Sequence, residues 1–144
     1  MTKPKLGIQL KAKGYKLTQQ RQQIMNFLQD SSLRLSAQDI HQQLKQQNSA
    51  ISLDTVYRNL RLLTEIGIVG QISLPSGSVY ERVEDQEHHH HLVCVDCEKV
   101  VCIAYCPEMK TYMAQAGAAG FDVIGHSFEI YGRCASCRHK YLHS

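Results

Sequence analysis

The chain lacks any apolar run approaching the roughly 20 residues that a membrane-spanning helix needs, so no transmembrane segment is expected. Its opening stretch, Met1 to Leu10, carries lysines but no uninterrupted apolar segment of a secretory signal, and a cytoplasmic protein is the expectation. Internal repeats and low-complexity tails are absent. So is any evident general base or substrate-shaping constellation, and the sequence does not read as an enzyme. In bulk the composition is ordinary: of 144 residues, 43% are apolar and 20% charged, enough for one or two small globular domains.

Charge and cysteine are the uneven features. Net charge is +3, yet residues 1–84 hold 11 Lys and Arg against 6 Asp and Glu, whereas residues 85–144 hold 5 against 7. A basic first half suits a polyanionic partner, and a second half rich in Cys and His suits a metal. Four of the six cysteines fall in two pairs, Cys94-x-x-Cys97 and Cys134-x-x-Cys137; the others are Cys102 and Cys106. Without an export signal, a disulfide framework is the weaker reading and metal coordination the stronger.

Periodicity divides the chain further. Thr18 can cap a helix carrying the stripe Ile24, Phe27 and Leu28, and Ser36 opens a capping box with Asp39 ahead of Ile40 and Leu44. Ser52 opens a third helix that Gly67 can close. Ile68 to Leu74 and Ser78 to Val83 then alternate as strands around Pro75-Ser76-Gly77, which completes the order of a winged helix. The fold class expected is α+β: a winged helix-turn-helix domain over 1–83, an acidic hinge over 84–87, and a small α/β domain over 88–144. In the last, His91 to Val95, Val100 to Ile103, Phe121 to Ile124 and Ser127 to Tyr131 read as strands. Pro107 starts a helix whose Met109, Tyr112, Met113 and Ala116 face a core.

Zinc (Zn2+) takes four ligands at tetrahedral angles, and each Cys-x-x-Cys turn presents two sulfurs to one ion. Cys94, Cys97, Cys134 and Cys137 therefore predict a closed, structural zinc site rather than isolated buried thiols. The run His88-His89-His90-His91 leads directly into the strand holding Cys94. In an extended segment alternate side chains oppose, so His88 and His90 face one way and His89 and His91 the other. Two metal sites can be fed in this manner, with completing ligands among Glu81, Cys102, Glu108, His126 and Cys106. The bland reading is a solvated strand edge, and the pattern leaves one-site and two-site arrangements open. Thiolate tilts the metal toward zinc, while imidazole and carboxylate also suit iron (Fe2+) or manganese (Mn2+).

On the third helix Val56, Leu60 and Leu63 form the core stripe, turning Arg58 and Arg61 outward with Thr55 and Tyr57 on the flanks. Such a face fits a DNA major groove, and Lys16 and Arg21 near the first helix start are placed for phosphate or minor-groove contact. An ordinary solvated helix face is the competing reading.

Together these pieces resemble the ferric uptake regulator superfamily over nearly the full length. They are Gly14-Tyr15-Lys16-Leu17-Thr18 with Arg21, Asp54-Thr55-Val56-Tyr57-Arg58-Asn59-Leu60, the histidine run into Cys94-Val95-Asp96-Cys97, and Glu129-Ile130-Tyr131-Gly132-x-Cys134-x-x-Cys137. Cys106-Pro107 and Gly125-His126-Ser127-Phe128-Glu129 resemble most the zinc uptake regulator branch. The resemblance implies a homodimer with a dimerisation domain in its second half, which binds an AT-rich palindromic DNA operator when metal-loaded. By the same resemblance Cys94, Cys97, Cys134 and Cys137 match structural zinc ligands; His89 and His91 with Glu81 match a regulatory site, to which Cys102 falls as a further ligand. His88, His90 and His126 match a secondary site, whose usual glutamate aligns with Met109, next to Glu108. Arg34 stands where iron and peroxide sensors often place histidine, and no cysteine lies near Val83 as in some zinc-sensing relatives. The function expected is a zinc-responsive repressor of zinc-uptake genes, with an iron- or peroxide-responsive regulator as the alternative.

Overall fold

A computed structural model describes residues 6–29, 33–83 and 90–142 of the chain. The backbone divides into two compact units, Met1–His88 and His89–Ser144. In the first, α1 (Leu6–Ala12), α2 (Gln19–Phe27), α3 (Ala37–Gln46) and α4 (Leu53–Glu65) precede the hairpin β1 (Val69–Leu74) and β2 (Gly77–Arg82). The expected caps form. Thr18 accepts from the Arg21 N–H, Ser36 and Asp39 make a reciprocal capping box, and Ser52 accepts from the Thr55 N–H. At the end of α4, Gly67 takes φ +82°, and the Gly67 and Ile68 N–H groups bond back to Thr64 and Leu63. That is the paired closure of a Schellman motif, which favours glycine because its φ is positive.

The hairpin turns at Pro75-Ser76, with Leu74 opposite Gly77. A single isolated bridge adds to it: Leu35 exchanges backbone bonds of 3.1 and 2.8 Å with Tyr80. Ile24, Leu28, Ile40, Leu44, Val56, Leu60 and Leu63 are fully buried together, roofed by Ile68, Val69 and Tyr80. The stripes read from the sequence thus form one core, although Phe27 lies at its margin. The helix α1 was not anticipated. Its seven residues bury only Leu10, too little to leave a periodic signature.

In the second unit, β3 (His90–Cys94) lies between β4 (Val100–Ile103), antiparallel to it, and β5 (Glu129–Gly132), parallel to it. The helices are α5 (Lys110–Ala118) and α6 (Ala135–Leu142). Three expectations need correcting. Phe121 to Ile124 is not part of a strand. The helix α5 starts three residues after Pro107 and buries none of its residues, with Tyr112 63% and Met113 47% exposed. Among the described residues, its apolar face therefore meets no buried core. The helix α6 carries no apolar stripe and was not foreseen; it grows out of the second cysteine pair. Val101, Leu92 and Ile130 lie side by side across the sheet and are also exposed. Among the described residues, no helix is long and apolar enough to cross a membrane.

Because the first unit owns a complete core, Leu60→Ala should lower its stability by about 2–5 kcal/mol, the usual cost of a buried leucine truncation. Urea unfolding followed by circular dichroism reads the change.

Candidate metal centres and nucleic-acid face

The sulfurs of Cys94, Cys97, Cys134 and Cys137 all lie within 4.8 Å of one another. Cys94 ends β3 and Cys137 sits in the first turn of α6. The first knuckle is closed by the Glu98 N–H on the Cys94 carbonyl and by the Cys94 N–H on the Lys99 carbonyl, each 2.9 Å. Glu98 takes a left-handed φ of +62° to make this turn. Across the cluster Arg133 Nε donates to Asp96 Oδ2 at 3.0 Å, joining the two knuckles. A tetrahedral thiolate shell with metal–sulfur bonds of about 2.3 Å has edges of about 3.8 Å. Cys97 Sγ and Cys134 Sγ stand 3.7 Å apart, so the residues fit such an ion.

The sulfurs also differ electrostatically. Hydrogen bonding from the Cys97 backbone, then from the Cys134 N–H at 3.4 Å, lowers the Cys94 thiol to about 6. The Cys137 backbone lowers Cys134 in the same way. Cys137, hydrogen-bonded to the Cys134 sulfur and buried, is pushed up to about 12. A bound cation would replace that shared proton and neutralise the clustered charge.

A second cluster joins His90, Cys106 and His126. His90 Nε2 lies 3.3 Å from Cys106 Sγ and 3.3 Å from His126 Nε2, and Cys106 Sγ lies 3.5 Å from His126 Nε2. Tetrahedral zinc bonds of about 2.0–2.1 Å to nitrogen and 2.3 Å to sulfur require edges of about 3.3 and 3.6 Å. The three donors therefore stand at three corners of such a shell. His90 is buried edge-on against Phe128, which fixes its ring. Cys106, the least favoured of the sequence candidates, is thus drawn in, whereas the exposed Glu108 is not among the gathered donors.

The remaining regulatory candidates fall as follows. His88 and His89 lie outside the described residues. His91 is buried on β3, opposite Cys102 on β4 and in register with Glu129 on β5. Glu81 is buried in β2 and accepts from Arg34 Nε at 3.1 Å. Sequence reasoning missed Glu129 as a neighbour of His91, because strand register is not written in local pattern.

On α4, Tyr57, Arg58 and Arg61 are exposed, and Arg58 makes an exposed ion pair with Asp54 at 3.3 Å. Thr55 is half-buried, its hydroxyl 2.9 Å from that of the cap residue Ser52. Lys16 is exposed, while Arg21 is committed within the fold: its Nε donates to Asn59 Oδ1 at 3.1 Å and its Nη1 to the Lys16 carbonyl. Asn59 in turn donates to the Thr55 carbonyl at 2.9 Å. Asn59 was not singled out from sequence, though a polar residue three after Val56, on the buried stripe, was the available signal. Burial, and then the nearby Tyr57, raises the Tyr80 phenol, with Arg61 opposing.

If the four-cysteine cluster is a zinc site, Cys137→Ser should remove one zinc per chain and lower the thermal midpoint of the second unit. Elemental analysis and calorimetry check this, and an unchanged metal content would refute it.

The ferric uptake regulator family model matches residues 12–131. The chain is 31% identical over 140 residues to the ferric uptake regulation protein of Synechococcus elongatus, covering 95% of each. It is 36% identical over 132 residues to the peroxide-responsive repressor PerR of Staphylococcus saprophyticus, covering 91% of this chain and 88% of that one. Among solved structures, the iron-containing ferric uptake regulator of Francisella tularensis superposes with a TM-score of 0.61 at 33% identity, over 87% of this chain and 96% of the other. With its winged helix and its cysteine-rich sheet unit, the chain belongs to the ferric uptake regulator family, whose members are metal-responsive transcription regulators and not enzymes.

Proposed function

We propose that the protein is a zinc-responsive repressor that binds operator DNA as a homodimer. The observation that carries this reading is the donor chemistry: beyond the four-cysteine cluster, both candidate sites contain a sulfur. His90 and His126 converge with Cys106, and His91 pairs across the sheet with Cys102. Thiolate with imidazole favours zinc over ferrous iron or manganese, which prefer oxygen and nitrogen donors. The resemblance adds His88 to the first set, whose usual glutamate aligns with Met109 next to Glu108, and His89 and Glu81 to the second. When bound, zinc supplies charge neutralisation and a fixed ligand angle; the chain supplies the strand β3 that presents His90 and His91 to opposite faces.

Zinc loading selects the operator-competent form from a mobile ensemble. Support for the homodimer comes from two uncovered apolar faces, the Tyr112 and Met113 side of α5 and the Val101–Leu92–Ile130 row. Two copies bring such faces together around one axis. Support for DNA comes from the exposed Tyr57, Arg58 and Arg61, with Lys16 beside the start of α2. Arg21 and Thr55 support that face from within, through Asn59 and Ser52.

The names of the relatives favour a second reading, an iron- or peroxide-responsive regulator. Arg34 argues against it: where such sensors often carry a ligating histidine, this chain has a guanidinium already paired with Glu81.

Operator binding titrated in parallel with buffered zinc, iron and manganese decides between them. Zinc should drive binding at the lowest free concentration; activation by iron alone, or operator release by peroxide at constant zinc, would count against the proposal. Arg58→Ala should weaken specific binding by about 1–3 kcal/mol, whereas Lys16→Ala should weaken all sequences alike and lower the salt slope by about one. Gel-shift titrations at several salt concentrations distinguish the two effects.

A further inference from the structure

We infer that Glu129 is the carboxylate of the zinc site built on His91 and Cys102, so that this site draws three donors from a single sheet. The inference rests on the zinc reading above, and it puts in place of Glu81, the carboxylate that the resemblance supplies, a residue that neither sequence pattern nor resemblance picked out as a ligand.

Register carries the assignment. His91 lies on the central strand, with Cys102 as its partner on β4 and Glu129 as its partner on β5. Register partners on neighbouring strands project from the same face, and the strands lie about 4.8 Å apart. Thiolate, imidazole and carboxylate therefore stand in one row on one face; their donor atoms do not all lie within 4.8 Å of one another as in the other two clusters, so an ion there must draw them together. Among the described residues, the Glu129 carboxylate makes no ion pair or hydrogen bond that would have to be given up.

Charge points the same way. His91 is only 6% exposed, and an ion held there is best matched by a ligand set that cancels its charge. One thiolate, one carboxylate and one neutral imidazole balance a divalent cation. Glu81, by contrast, is already matched: Arg34 donates to it at 3.1 Å, beside the backbone bridge of Leu35 and Tyr80. Its carboxylate is part of the wing's own construction.

The test is zinc affinity by chelator competition on the full chain, in a Cys106→Ser background that silences the His90 cluster. Glu129→Gln should weaken the zinc bound beyond the four-cysteine ion about 10–100-fold, the range seen when a carboxylate supporting a metal site is lost. Glu129→Asp should recover part of it, and Asp122→Asn should leave it unchanged. Retention of the four-cysteine zinc in each variant reports an intact fold. A Cys106→Ser chain with no further zinc, or with affinity unmoved by Glu129→Gln, overturns the assignment alone. A wild-type chain with no zinc beyond the four-cysteine ion overturns both the assignment and the zinc reading.

Discussion

Four sulfur atoms converge at one end of the sheet unit, from Cys94 on β3 to Cys137 on α6, and much of that unit depends on them. Val93, Cys94 and Cys137 are its buried apolar side chains among the described residues. So small a core does little to offset the entropy of ordering the chain. A metal ion held by the Cys94 and Cys134 knuckles would add its thiolate bonds to the Arg133–Asp96 pair beside them, and so tie β3, β5 and α6 together where packing is thin. The winged unit needs no such clamp, since its helices and hairpin enclose a continuous aliphatic core.

The same strand that ends in Cys94 distributes the histidines. Extended backbone sends His90 to the side where Cys106 and His126 meet it, and His91 to the side shared with Cys102 and Glu129. A single strand therefore serves a structural cluster at its end and two candidate sites on opposite faces. The order of the donors follows from the pleat alone.

In the winged unit, most of the fold was readable before the structure. The caps at Thr18, Ser36 and Ser52, the closure at Gly67 and the Val56–Leu60–Leu63 stripe all depend on neighbours within a few residues. The exceptions have physical causes. The helix α1 is short and nearly coreless. Arg21, read as a contact for phosphate, also bonds Asn59, a residue 38 positions away that no local pattern points to. In the sheet unit the reading weakened because α5 and the strand row are apolar without cover, so a pattern that looks like a core-facing helix has no core to face among the described residues.

Sequence alone determined which residues carry the chemistry: two Cys-x-x-Cys pairs, a histidine run, and a helix with Arg and Tyr on its outer face. Donor type and short spacing are local properties, so they survive without coordinates. Tertiary structure decided how the donors group. It brought Cys106 rather than Glu108 to His90 and His126, paired Glu81 with Arg34, and set Glu129 beside His91. Those choices depend on strand register and loop closure across tens of residues, where a shift of one position turns every side chain to the other face.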